Sequence, residues 1–250
     1  MLVKRNENRN TETHIGVDAL MTSSHAAETT PRELTVAMED AIVGIYRLQE
    51  TTDERVSTSE LAAELGVEPP SVSSIFSRLA ERGLIDREPH RPVALTETGM
   101  KVALQLIRNH RLLETFLVEC LGYGWEEVHE ECDRLEHHVS QRFTTSLESF
   151  LSNPETDPHG DPIPDTNLDV PTESNLVHLD TVDEGTTVTV QRILTGERET
   201  LEYLASRGLE PEDTVTVEER TPIGLLVIST ATGQPRLPTE TARQIICSHT

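Results

Sequence analysis

Between Leu34 and Glu50 apolar residues recur at helical spacing: Met38, Ala41, Ile42, Ile45 and Leu48 share one face, with Asp40 at its flank. This predicts a first helix. Ser57 and Glu60 then form an S-x-x-E capping box ahead of Leu61, Ala62 and Leu65, and Gly66 supplies a stop. After a three-residue turn, Pro69 and Pro70 open another helix whose Val72, Ile75, Phe76 and Leu79 fall at i, i+3, i+4 and i+7, ended by Gly83. Leu84 and Ile85, then Val93 to Leu95, with Arg87, His90 and Arg91 between them, read as a two-stranded wing. The sum is a winged helix-turn-helix. A plain helical hairpin would share part of this pattern, but the wing tells against it.

Downstream, Ala103, Leu106, His110, Leu113, Leu117 and Cys120 alternate spacings of three and four along a long helix from about Glu97 to Leu121, a seam suited to helix-on-helix packing. Trp125 to Val139 carries Val128, Cys132, Leu135 and Val139 on one face, and Phe143, Leu147, Phe150 and Leu151 suggest a further short helix. From Asn153 to Pro171 the chain is loaded with Pro, Asp and Asn. After it come short strands at Thr186–Ile193, Thr214–Glu218, Leu225–Ser229 and Gln244–Ser248, with one helix near Glu199–Arg207 ended by Gly208. The expected fold is mainly α with a small β domain. Residues 1–33 are a polar disordered tail, 34–96 the winged helix, 97–152 a helical domain, 153–175 a linker and 176–250 an SH3-like barrel.

Composition changes the picture in three ways. No apolar run reaches the roughly 20 residues that span a bilayer and the N-terminus lacks a signal-peptide stretch, which predicts a cytoplasmic protein with no membrane partner. Cys120, Cys132 and Cys247 stand far apart without a CxxC pair, against a disulfide framework or structural zinc. The formal net charge of -23 argues at face value against a nucleic-acid partner. Yet only Lys4 and Lys101 are lysines, and the acid-rich, lysine-poor balance resembles proteins of salt-in halophiles, where ions screen self-repulsion over a few ångströms. Lys4, Arg5 and Arg9 lie in an N-terminal stretch of foreign composition, and Met21 marks a second candidate start.

The winged helix carries a candidate DNA face. Pro70, Ser71, Ser73, Ser74 and Ser77 are small, and Arg78, Arg82, Arg87 and Arg91 cluster late in the recognition helix and in the wing. Between Ser57 and Leu95 six acids stand against four arginines, so the helix N-terminus would approach the duplex with backbone amides.

A second constellation lies further on. His129, Asp133, Glu136 and His137 fall at i, i+4, i+7 and i+8, one stripe beside the apolar face, while His110 and Glu114 sit one turn apart on the preceding helix. Two such helices meeting through their seams offer nitrogen and oxygen ligands for a divalent metal. For any single residue a solvated face of His and acid pairs is the simpler reading. His110, however, stands where Leu would pack, and a buried His needs partners. Cys132 faces the apolar side and reads as core.

From about Thr35 to the end, the winged helix, the RNHRLLETFL and VHEECDRLEHHVS segments, the HGDPIP linker and the FeoA-like C-terminal domain occur in an order that resembles the diphtheria toxin repressor family, including its manganese-sensing branch. The resemblance implies a homodimeric, metal-dependent repressor that binds a double-stranded DNA operator and uses Mn2+ or Fe2+ to control metal homeostasis genes, not an enzyme. Carried over by position, it assigns Asp40, Asp133, Glu136 and His137 to a primary metal site, and His110, Glu114 and His129 to an ancillary site joined by Glu197. Where iron sensors have Met and Cys, this chain has Asp40 and Asp133. Where the manganese branch adds a Glu one turn after Asp40 the chain has Val43, and Thr200 stands where iron sensors have Gln. A metal-independent regulator with a protein-binding barrel, and a metallohydrolase using the same cluster, are the other classes this residue set allows.

Overall fold

The structure is a computed structural model that describes residues 34–250 apart from Asp53, Pro89, His90, 172–174 and Thr250. The tail at 1–33, and His90 of the expected wing, lie outside the described residues. Helices α1 (Val36–Thr52), α2 (Thr58–Glu64) and α3 (Pro69–Glu81) are followed by strands β1 (Ile85–Asp86) and β2 (Ala94–Leu95). The capping box forms as expected: Glu60 N donates to Ser57 Oγ at 3.2 Å and Ser57 N to Glu60 Oε2 at 2.7 Å. Met38, Ile42 and Ile45 of α1 share one core with Leu61, Val72, Phe76, Leu79 and Leu84. The wing is short, and Val56 also bridges to Val93. Arg55 staples it, donating to Pro92 O and Asp86 O and pairing with the Asp86 carboxylate, each at 2.9 Å.

Helix α4 (Glu97–Leu121) ties this domain to the next. Thr96 caps it, accepting from Gly99 N at 3.0 Å. A Cβ on Gly99 would lie 1.9 Å from Leu84 O, so only glycine lets α4 approach the wing this closely. The N-terminal half of α4 adds Val102, Ala103 and Ile107 to the first core, and Leu112, Leu113 and Leu117 enter a second with Val128, Cys132, Leu147 and Ile163. The last seam position departs from expectation, because Cys120 is exposed.

The next helix, α5, covers Val128–Leu135 and passes into a 3-10 turn at Glu136–His138; α6 is Gln141–Phe150. The expected start at Trp125 is corrected to Val128. Trp125 belongs instead to the core of the C-terminal domain, and that burial overrides its helical spacing. Leu135, read as part of the apolar face, is 36% exposed.

The C-terminal domain comprises β3 (Leu176–His178), β4 (Thr187–Ile193), α7 (Arg198–Ala205), β5 (Thr214–Arg220), β6 (Leu225–Ser229), β7 (Arg236–Pro238), α8 (Thr239–Arg243) and β8 (Ile245–His249). The sheet runs β3-β8-β4-β5-β6-β7, antiparallel at each pairing. Alternate residues Val188 and Val190, Val215 and Val217, and Leu226 and Ile228 point into one core against Leu201, Leu204 and Leu209. No helix among the described residues is long and apolar enough to cross a membrane.

The segment before β3 is more than a spacer. Buried Arg108 donates to Pro164 O at 2.6 Å and pairs with Glu148, and Arg111 donates to Pro162 O at 2.5 Å. Ile193 N of β4 donates to His159 O at 2.9 Å, and a Cβ on Gly160 would lie 1.8 Å from Gln191 O. Residues 157–164 are therefore strapped between α4 and β4.

Candidate metal centre and nucleic-acid interface

α1, α4, α5 with its 3-10 turn, the strapped segment and the end of β4 enclose one cavity of about 690 Å³. At its wall Asp40, Glu136 and His137 bring ligand atoms within 4.8 Å of one another. His137 Nε2 lies 3.4 Å from Asp40 Oδ1 and 3.3 Å from Glu136 Oε1, while Nδ1 lies 2.6 Å from Glu39 Oε2. Burial lifts the Asp40 carboxyl above its ordinary range; His137 opposes the rise, and Glu136, Glu39 and Asp133 add to it.

Glu39 escaped the sequence reading. It lies one residue from Asp40 on α1, about 100° round a helix, yet it is 8% exposed and meets His137. A carboxylate on one ring nitrogen fixes the tautomer and leaves the other free to ligate. Glu39 thus points His137 Nε2 toward Asp40 and Glu136.

A second group, His110, Glu114 and His129, joins α4 to α5. Glu114 Oε1 is 3.1 Å from His110 Nε2 and 2.9 Å from His129 Nδ1. Burial alone would lower the basicity of His110, but Glu114 and Cys132 hold its pKa well above the ordinary histidine value. Burial likewise opposes ionisation of Glu114, but His110, His129 and His159 keep its carboxyl well below the usual range. Asp133 stands at the rim, 3.9 Å from both His110 Nδ1 and His129 Nε2, and is 56% exposed.

Glu114 also belongs to a third group with Asp157 and His159. His159 Nδ1 is 3.5 Å from Glu114 Oε2 and Nε2 is 2.9 Å from Trp125 O. Burial, with Asp161 and Glu114 nearby, pushes the Asp157 carboxyl up to about 7. Periodicity could not find these two residues, because they lie in an aperiodic stretch. The HGDPIP motif, residues 159–164, was the available signal for His159; Asp157 lies just before it.

Glu197 is not brought into any of these groups. It is exposed at the start of α7 and accepts from Thr200 Oγ1 at 3.3 Å. The C-terminal domain reaches the cavity through Thr195 and Gly196 instead; a Cβ on Gly196 would lie 3.6 Å from His129 Nε2.

In the winged helix, Pro70, Ser71, Ser73 and Ser74 are exposed on the first turns of α3. Ser77 donates to Ser73 O at 3.0 Å and accepts from Arg87 Nη1 at 2.5 Å, which ties the recognition helix to the wing. Arg78 is half-buried. Arg82 and Arg91 are exposed; Arg82 donates to Arg78 O and Arg91 pairs with Glu88 at 3.1 Å.

Comparison with known proteins bears on this arrangement. Residues 33–93 match the iron dependent repressor N-terminal DNA binding domain, 96–165 the iron dependent repressor metal binding and dimerisation domain, and 177–249 the FeoA domain. The iron-dependent repressor IdeR of Mycobacterium bovis is 34% identical over 226 residues, which cover 85% of this chain and 97% of that protein. The chain belongs to the diphtheria toxin repressor family. Among solved structures of this family's kind, a manganese-dependent transcriptional repressor in complex with manganese is 38% identical, with a TM-score of 0.77 over 85% of this chain and 100% of that one. The manganese regulator SloR is 30% identical, with a TM-score of 0.69 over 85% and 98%. For a member of this family, oxygen-rich groups that also hold imidazoles are a fitting donor set for a divalent first-row metal.

Proposed function

We propose that the chain is a metal-activated, homodimeric transcriptional repressor that binds double-stranded operator DNA in response to Mn2+ or Fe2+ and controls metal homeostasis genes. One observation carries this reading: Asp40, on the first helix of the winged domain, meets Glu136 and His137 of the helical domain in one group. Asp40, Asp133, Glu136 and His137 would hold a divalent ion, which supplies a link between the two domains. Asp40 and His137 then fix the angle of α1, and with it the recognition helix α3, which shares the α1 core. His110, Glu114 and His129 would form an ancillary site that braces α4 against α5. Exposed Leu121, Phe143 and Phe150 give the helical domain apolar surface that suits pairing with a second copy.

The exposed serines of α3 suit close approach to a major groove, and Arg78, Arg82, Arg87 and Arg91 suit phosphate and base contacts. Oxygen donors at positions 40 and 133 favour manganese over what sulfur donors there would allow. The test is footprinting of genomic fragments in molar potassium chloride with manganese, with anaerobic iron(II) and with chelator. Protection is expected only with metal. Equal protection in chelator would overturn the reading.

A further inference from the structure

Beside the groups above, two residues of the cavity wall, His110 and Glu136, share a further group with a sulfur from the core behind them, and its donors differ in kind. Cys132 Sγ, His110 Nδ1 and a Glu136 oxygen lie within 4.8 Å of one another. Cys132 Sγ is 3.5 Å from His110 Nδ1, and Glu136 Oε2 is 2.7 Å from the same nitrogen. Glu136 presents its other oxygen, Oε1, to His137 Nε2. One carboxylate thus faces two sets of donors, Asp40 with His137 on one side and His110 with Cys132 on the other. One turn along α1 from Asp40 the cavity is lined by Val43, which offers no donor. Sulfur is therefore the third ligand type within reach of His110 Nδ1 and Glu136.

We propose that Cys132 is a metal ligand, completing with His110 and Glu136 a mixed sulfur, nitrogen and oxygen site for a borderline-soft divalent ion such as iron(II), cobalt or zinc. This deepens the metal-activated reading above and rests on it. Coordination breaks the S–H bond, releases the proton to solvent and forms a sulfur–metal bond. His110 presents Nε2 to Glu114 and His129 and Nδ1 to Cys132, so its ring serves one group at a time. A thiolate at position 132 restores a soft donor that Asp40 and Asp133 do not provide, and it shifts preference toward the metals after manganese.

The test loads the full chain anaerobically with cobalt(II), with bound metal counted by equilibrium dialysis. The expected result is a thiolate-to-cobalt charge-transfer band in the near ultraviolet that disappears in both Cys132→Ser and Cys132→Ala. Cys132→Ser, which keeps the volume, should lose about tenfold in cobalt affinity and change manganese affinity less than about twofold. Cobalt bound without the band overturns the assignment to Cys132 and leaves the metal reading standing, with His110 turned to Glu114 and His129. So does a band that survives both variants. Failure of the wild-type chain to bind cobalt or manganese overturns the metal reading itself.

Discussion

Two groups of ligand-type side chains line the same cavity and differ in what already meets their charge. Asp40, Glu136 and His137 come from two domains, and Asp40 is 42% exposed. Glu114, Asp157 and His159 come from α4 and the strapped segment, and all three are buried. The buried group sits among the chain's own basic side chains: the imidazoles of His110, His129 and His159 face Glu114, and the Arg111 guanidinium lies 3.6 Å from Asp157. The open group has three carboxylates, Glu39, Asp40 and Glu136, against His137, with His110 reaching only the far oxygen of Glu136. Excess carboxylate at a domain boundary with access to solvent is what a reversible sensor needs. A buried group with internal counter-charges is arranged to hold the domains together.

Changes at the open group should have the largest effect. Glu136→Ala or His137→Ala should remove the whole metal-induced gain in operator affinity, which for coupling of this kind is about 5- to 150-fold. Circular dichroism and sedimentation should show the same fold and assembly as the wild type. Retention of the gain in both variants would mean that the open group is not the sensor.

Glu39→Gln alters the open group without touching an assigned ligand. The amide keeps an acceptor for His137 Nδ1 but loses the charge that favours the required tautomer. Metal affinity should fall by about tenfold while operator affinity at saturating metal is retained. Isothermal titration with manganese reads the first quantity and anisotropy of labelled DNA the second. An unchanged metal affinity would reduce Glu39 to a packing residue.

Much of this was legible in the sequence, and the pattern of gains and misses has physical causes. α1 to α4 and four of the sheet strands follow from period and caps, since each buries a face long enough to repeat. Asp40, His110 and Glu114 fall on such helices, and His129, Glu136 and His137 follow a helical stripe that runs through α5 into its 3-10 turn, so their mutual approach could be anticipated. β3 and β7, three residues each at the sheet edges, are too short to show alternation. Trp125 joins a core formed by residues more than fifty positions away, which no local pattern reveals. Asp157 and His159 are placed by arginine bonds to loop carbonyls, a contact set that leaves no periodic trace. Cys132 was read as core, and it is fully buried, yet its sulfur also faces His110. Burial and ligation were not alternatives at that position.

The smallest effect expected comes from the buried group, and it concerns stability. In the folded chain the Asp157 carboxyl is pushed up to about 7 from an ordinary 3.8, chiefly by burial. Between those values the unfolded chain ionises Asp157 while the folded chain keeps the proton. The group's contribution to stability is therefore present at low pH and is lost as pH rises from about 4 through about 7. Asp157→Asn cannot ionise, and its amide oxygen can still accept from His159 N and Asp161 N, which donate to Asp157 Oδ1 at 2.8 and 2.9 Å. The melting temperature of the metal-free variant should thus rise relative to wild type as pH increases across that window, by on the order of a few degrees. Calorimetry of both proteins in chelator at stepped pH measures the difference, and taking the difference removes the titrations common to both. A difference that stays flat from pH 4 to 7 would show that Asp157 is ionised in the folded chain and that Arg111 outweighs its burial.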